Sequence, residues 1–273
     1  MTQPAINLPA RDTSQPRLAR IGNARESVKL SAKIYALPES MRPEAAPGTW
    51  EAALSLLPHS GRVLNAGAGR GGISLLLDES GYAVTSLDLY PERFLPTGMD
   101  CAYADLNHPI EQPDGTFDVV LAVEVMEHLE NPWGFLREAV RLLKIGGLLI
   151  FSSPNVISLH SRLHFLGHGL LPYFRLSSFK GCYHVSPIFP WAVERCCATT
   201  SARIRSITYS RTDWPRRDDV PRHVAGRGIP RIRRLLRRKL LDLLPLNATT
   251  GEISIFCVEK TAAAPTSQIN IMQ

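Results

Sequence analysis

Residues 62–77 read RVLNAGAGRGGISLLL, a short apolar run, a glycine-rich turn and a second apolar run. Val63 and Leu64 have the character of a buried strand end. Ile73 to Leu77 open a helix whose first N–H groups lack intrahelical partners and point back into the turn. Gly67, Gly69, Gly71 and Gly72 permit a sharp bend and bring bare main chain within reach of a ligand. A strand, a glycine turn and a helix N-terminus in that order suit a nucleotide-like molecule. The spacing Gly67-x-Gly69-x-x-Gly72 also satisfies the dinucleotide fingerprint, so the loop alone admits NAD as readily as S-adenosylmethionine. Without a ligand it is simply a tight strand-to-helix turn.

The sequence downstream adds to the ligand reading. GYAVTSLDLYP from Gly81 predicts a second strand ending in Asp88, where a carboxylate can accept both hydroxyls of a ribose. Met99 to Ala104 is strand-like and ends in Asp105, positioned to accept from the exocyclic amine of an adenine. Phe117 to Val123 is a continuous apolar strand of the kind buried on both faces of a parallel sheet. Trp133 to Leu143 has helical periodicity, Gly146 and Gly147 read as its stop signal, and Leu148 to Ser152 predicts another buried strand.

Four pieces in this order, the glycine loop, Asp88, Asp105 and the run EVMEHLENP…LLKIGGLLIFSSPN, resemble the class I S-adenosylmethionine-dependent methyltransferases. Within that superfamily the chain is most similar to a bacterial branch. That branch includes the ubiquinone-biosynthesis O-methyltransferases and methyltransferases of surface-polysaccharide pathways. The resemblance covers about Trp50 to Asn155 well and the remainder loosely. It implies a Rossmann-like α/β fold, a seven-stranded and mostly parallel sheet with helices on both faces. Ile204 to Tyr209 and Ile253 to Glu259 would supply the final strands, the last of them antiparallel. It also implies S-adenosylmethionine as cofactor, held by Asn65, Gly67, Ala68, Gly69, Gly71, Asp88, Leu89, Asp105, Leu106, Val123 and Glu124. The chain departs from the family at Asn65, where an acidic residue is usual. An amide oxygen still accepts from an ammonium group, but without the charge-assisted strength of a carboxylate. The rival reading, an NAD-dependent oxidoreductase, requires a second nucleotide-binding half, and no second glycine fingerprint follows Asn155.

A sulfonium methyl is already activated, so such an enzyme must mainly align its acceptor and exclude water. A hydroxyl acceptor must also lose a proton, for which a histidine is suited. His128, in EVMEHLENP just past the fourth strand, and His184, in the H-x-x-P element that this branch often carries, are the candidate catalytic residues. Either histidine could instead serve only to shape its loop. The leading expectation is O-methylation of a small-molecule, glycan or lipid-linked hydroxyl. Carbon or nitrogen methylation, or a cofactor-binding homologue without turnover, are the alternatives. AVEVMEH replaces the N/D-P-P-Y/F motif usual for nucleobase amino-methylation, which argues against that class.

The chain has 273 residues, 44% of them hydrophobic, enough for one full α/β core. Five cysteines, odd in number and without a C-x-x-C pair, read as reduced thiols of a cytoplasmic protein. No signal-peptide core and no apolar run of membrane-spanning length are evident. Residues 1–20 read as a disordered tail, 21–48 as a helix (Glu26 to Leu37) followed by a proline-rich connector, and Trp50 to Leu57 as a further helix. Residues 49–260 read as the methyltransferase domain and 261–273 as a flexible tail. Within the domain, 154–200 is expected to form a lid over the substrate. It contains His160, His164 and His168 at helical spacing, which read as surface or lid histidines, and no metal ligands are assigned. The net charge of +6 is concentrated in 211–244. There ten arginines and one lysine between Arg211 and Lys239 face three aspartates. Arg231 to Leu244 reads as a basic amphipathic helix. It either packs on the domain or attaches the protein peripherally to an anionic membrane, and the lack of interleaved aromatics disfavours nucleic acid.

Overall fold

The computed structural model describes residues 30, 33–174, 183–210 and 251–262. Seven strands form one sheet: β1 (Arg62–Ala66), β2 (Ala83–Asp88), β3 (Cys101–Tyr103), β4 (Phe117–Ala122), β5 (Leu143–Pro154), β6 (Ala202–Tyr209) and β7 (Ile253–Lys260). Their order is β3-β2-β1-β4-β5-β7-β6. Only β7 is antiparallel, and it pairs with β5 on one side and β6 on the other. This is the expected α/β architecture.

The inner strands carry apolar residues on both sides because the sheet is covered on both faces. Val63, Val119, Leu121, Ile150 and Ile255 point to one side. There they pack on α1 (Thr49–Leu54) and α2 (Gly72–Asp78), through Leu54, Ile73 and Leu76. The alternate residues Leu64, Val120, Ala122, Phe151 and Phe256 point to the other side. They meet Phe135, Leu136 and Ala139 of α3 (Pro132–Leu142) and Val193 and Cys197 of α5 (Pro190–Ala198). Phe151 and Phe256 stack across β5 and β7 with centroids 4.7 Å apart. The four described cysteines are free, and all but Cys101 are buried.

The helix expected over Trp50 to Leu57 ends at Leu54, and the junction of α3 with β5 differs from the sequence reading. Asn131 caps α3, accepting from Gly134 N–H at 2.9 Å, and Pro132 occupies its first turn. The helix stops at Leu142, within one residue of the expected Leu143, but Gly146 and Gly147 are not its stop signal. Leu143 turns extended and pairs with Phe117, so β5 starts immediately and Gly146 and Gly147 lie inside it. Gly147 marks a register shift. A Cβ there would lie 2.9 Å from the Lys144 carbonyl and 3.1 Å from that of Asp118, space that only glycine leaves free. Residues 33–36 are helical, within the helix expected over Glu26 to Leu37. Residues 1–20, the basic segment with Arg231 to Leu244, Cys182 and 263–273 lie outside the described residues.

The connector from Pro38 to Gly48 has a more definite place than its proline content suggested. Met41 sits so close to the glycine turn that a Cβ on Gly72 would lie 2.0 Å from the Met41 carbonyl oxygen. Arg42 holds this segment in shape, donating to the carbonyls of Leu37 and Tyr35 at 3.0 Å each.

Candidate active site

The C-terminal ends of β1, β2 and β4 border a cavity of about 840 Å³, on the edge where ligands bind in open parallel sheets. Its lining joins the glycine turn, Asp88, Asp105, Glu124 and His128 with Met41, Glu44 and Trp50 of the N-terminal segment. All the residues expected around a cofactor line this cavity.

The glycines of the turn divide their work. Gly67, Gly69 and Gly71 all adopt positive φ. A Cβ on Gly67 would meet Val125 Cγ2 at 2.5 Å, and one on Gly71 would meet Pro96 and Phe94 at 2.5 and 2.6 Å. These two are glycine for packing. A Cβ on Gly69 would meet nothing within 4 Å, so this is where bare main chain faces open space. The N–H groups of Gly67 and Ala68 both donate to the Leu87 carbonyl and fasten the turn to β2.

Asp88 is held by the same turn. Gly69 N–H donates to one carboxylate oxygen at 2.7 Å and Tyr90 N–H to the other at 2.8 Å. Each oxygen keeps a lone pair for a further donor. Asp105 is similarly fixed. Its Oδ1 accepts from the backbone and side chain of Asn107, at 2.9 and 3.0 Å, and Oδ2 lies 3.0 Å from His108 Nδ1. The Asn107 N–H holds the Asp105 carboxyl below its ordinary value. Asn65 is buried, with its amide nitrogen donating to Ser74 Oγ, which Ser86 also contacts. Its carbonyl oxygen is the group suited to meet a cation.

Beyond β4 the chain carries strain. Glu124 adopts φ 56°, uncommon for a residue with a Cβ. Its N–H donates to Ser152 Oγ, whose hydroxyl donates back to Glu124 Oε1, both at 2.8 Å. Burial raises the Glu124 carboxyl. One turn on, Glu127 is wholly buried, and neither of its carboxylate oxygens has a hydrogen-bond partner among the described residues. Burial, followed by the neighbouring Glu124 charge, pushes Glu127 well above the carboxylate range. Sequence reading passed over Glu127. Its signal was an acid between Met126 and His128, next to a candidate catalytic residue.

The two candidate catalytic histidines come together here. Their ring centroids lie 4.7 Å apart, edge to face. His128 Nδ1 contacts the Tyr183 carbonyl at 3.3 Å and His184 Nδ1 contacts that of Tyr173 at 3.0 Å. A carbonyl only accepts, so Nδ1 carries the hydrogen in each ring and Nε2 presents a lone pair. Burial lowers both pKa values, and the His128 charge lowers that of His184 further. His184 is carried by a strap stitched to the 3-10 turn Met126–His128. Val185 and Ser186 N–H both donate to the Glu127 carbonyl, and Ser186 Oγ donates to that of Leu129 at 2.6 Å. The ligand atoms of Glu127, His128 and His184 all lie within 4.8 Å of one another. The trio could therefore hold a divalent cation, a grouping absent from the sequence reading. His160, His164 and His168 sit on α4 (Leu159–His168) and are not part of this grouping; His164 Nδ1 donates to the Leu170 carbonyl at 2.7 Å.

Comparison with known proteins agrees with this geometry. Residues 39–185, more than half of the chain, match a family described as a methyltransferase domain, and the chain belongs to that family. It is 35% identical over 103 residues to the ubiquinone biosynthesis O-methyltransferase of Caulobacter vibrioides, covering 34% of this chain and 40% of that one. It is 33% identical over 110 residues to the 2-methyl-6-phytyl-1,4-hydroquinone methyltransferase of Synechocystis, covering 37% and 35%. The match thus spans less than half the length of these relatives. A SAM-dependent methyltransferase from Archaeoglobus fulgidus superposes with a TM-score of 0.50 at 20% identity, covering 73% of this chain and 86% of that one. The methyltransferase complexed with the Trm112 activator of Haloferax volcanii gives 0.54 at 14%, covering 89% and 96%. The fold is that of S-adenosylmethionine-dependent methyltransferases.

Proposed function

We propose that this protein transfers a methyl group from S-adenosylmethionine to a hydroxyl of a small-molecule or lipid-linked acceptor. The observation that carries the reading is one cavity with two unlike ends. At one end lie Gly69 and the fixed carboxylates of Asp88 and Asp105. At the other end lies His128, with its Nε2 lone pair uncommitted to the backbone.

The residues present fit the cofactor. Asp88 has acceptor capacity for two ribose hydroxyls, Asp105 for an exocyclic amine, and the Asn65 carbonyl for an ammonium. Gly69 leaves open the space a Cβ would fill. Trp50 Nε1 is buried at the cavity wall and has no partner in the described residues, so it suits a carboxylate acceptor. When bound, S-adenosylmethionine supplies an activated sulfonium methyl group and leaves as a neutral thioether.

His128 takes the acceptor's proton on Nε2 as its oxygen becomes an ether. The Tyr183 carbonyl fixes the ring, and burial keeps it neutral and ready to accept. His184 packs its ring edge to face against that of His128 and is held there by the strap. The names of the curated relatives, a ubiquinone-pathway O-methyltransferase and a phytyl hydroquinone methyltransferase, support a hydroxylated acceptor of that chemical kind.

Among the described residues no helix is long and apolar enough to cross a membrane. We place the enzyme in the cytoplasm, attached peripherally to an anionic membrane through the basic segment Arg231 to Leu244. Transfer of labelled methyl from S-adenosylmethionine to a metabolite and lipid extract tests the activity. Incorporation that disappears in His128→Ala supports the reading. Calorimetry without heat from S-adenosylmethionine or S-adenosylhomocysteine would overturn it.

A further inference from the structure

Trp50, on α1, carries a buried polar atom that the described chain leaves unsatisfied. Its Nε1 has no hydrogen-bond partner among the described residues. Thr49, Glu127 and Ser153 also hold buried unpaired atoms, but of these four residues only Trp50 lines the cavity. An indole N–H donates and never accepts. A buried donor without a partner is costly, so an acceptor brought by a ligand is its complement.

The order of the sheet says which part of a ligand meets it. Strands β3, β2, β1 and β4 lie side by side, and Asp105, Asp88, Asn65 and Glu124 follow one another along their C-terminal ends. An adenine at Asp105 and a ribose at Asp88 put the remaining end of the cofactor over β1, beside Asn65. Asn65 and Val63 point to the same face of that strand. Trp50 packs against the core layer on that face, which holds Val63, Ile73 and Val123. Trp50 and Asn65 therefore share one side of the sheet, and both line the cavity. The arginines of the cavity wall are engaged elsewhere. Arg42 donates to the Leu37 and Tyr35 carbonyls and Arg70 to that of Ser40, while Arg93 lies over the Tyr90 ring.

We infer that Trp50 donates its indole hydrogen to the carboxylate at the methionine end of the cofactor, and so selects for molecules that carry one. The inference rests on the S-adenosylmethionine reading. A small turn of the ring at the cavity wall brings the hydrogen to the ligand. The contact weighs more in this chain than it would if an acid held the ammonium. Asn65 offers that ammonium a neutral amide oxygen, while its nitrogen is committed to Ser74 Oγ at 2.9 Å. A hydrogen bond from Trp50 to a carboxylate is charge-assisted, and the low dielectric of a buried wall strengthens it.

The test is calorimetry of the full chain with S-adenosylhomocysteine and with its decarboxylated analogue, which keeps the adenosine, the thioether and the amine. Wild type should bind the analogue about tenfold or more weakly. Trp50→Phe keeps an aromatic ring in place and removes the donor. It should lower affinity for S-adenosylhomocysteine about tenfold or more and leave affinity for the analogue unchanged, which also shows that the variant is folded. Wild-type affinity for S-adenosylhomocysteine in Trp50→Phe overturns the inference. An equal loss for both ligands overturns it too, since Trp50 then serves only the fold. If the variant does not fold, wild type decides alone, and equal affinity for the two ligands overturns the inference. Absence of heat from both ligands in wild type would sink the S-adenosylmethionine reading itself, whereas the other outcomes touch only Trp50.

Discussion

His128 and His184 approach from two separate stretches of chain to an edge-to-face contact of 4.7 Å, each with Nδ1 against a backbone carbonyl. The strap that delivers His184 hangs from the carbonyl of Glu127, the residue next to His128. Ring pairing and strap closure are therefore one structural event.

The pH dependence of turnover follows. Both imidazoles lie below their ordinary 6.5, held there chiefly by burial. At and above that pH the rings are neutral and Nε2 accepts protons. The acid limb of kcat/KM should then have its midpoint below 6.5, which a pH series from buffer jumps would read. His128→Ala should lower kcat/KM by roughly 10²–10⁴, and His184→Ala by less. A midpoint at or above 6.5, or near wild-type turnover in His128→Ala, would remove histidine from the chemistry.

Glu127 makes stability fall in the opposite direction. Its folded pKa is raised above 4.5, so between the two values the folded chain holds a proton that the unfolded chain releases. The contribution is fully present below 4.5 and is lost as pH rises through the folded value. Relative to Glu127→Gln, wild type should lose stability across that window at up to about 1.4 kcal/mol per pH unit. The histidines, lowered in the fold, add a loss as pH drops below 6.5 in both proteins. Denaturant titrations over the pH range separate the two slopes, and parallel curves for wild type and variant would mean Glu127 is charged when folded.

Asp88→Ala removes the acceptor fixed by Gly69 and Tyr90. Affinity for S-adenosylhomocysteine should fall by about 1.5–3 kcal/mol, the cost of losing hydrogen bonds to a charged group. Calorimetry measures this directly, and unchanged affinity would put the ribose elsewhere.

The glycine turn should respond position by position. Gly69→Ala meets no atom and should cost only the left-handed backbone penalty, about 1–2 kcal/mol, while weakening the cofactor. Gly71→Ala adds a collision with Pro96 and Phe94 and should destabilise more. Melting curves of the two variants give the comparison, and equal losses would contradict the division between packing and ligand glycines.

In the core, Phe256→Ala breaks the stack on Phe151 and leaves a cavity under β5 and β7. A loss of about 3–5 kcal/mol is expected by chemical denaturation.

Local sequence determined a great deal of this molecule. The run Arg62 to Leu77, the apolar strands and Asp88 encode their own geometry, since glycine freedom and strand burial are properties of neighbouring residues. They were enough for the sheet and for the edge of the cavity that these residues line. The start of β5 was placed too late because Gly146 and Gly147 look like a helix stop, whereas the pairing of Leu143 with Phe117 is a contact distant in sequence. The same holds for the site's other half. Nothing near Met41 in the chain says that its carbonyl seals the turn at Gly72. Nothing in EVMEH says that Glu127 is wholly buried and unpaired while its carbonyl anchors the strap. Composition and local pattern carry the ligand edge, because its residues are fixed by their own turns. Only the tertiary structure decided which histidines meet and which acid loses water, since burial and ring contact depend on segments that sequence distance keeps apart.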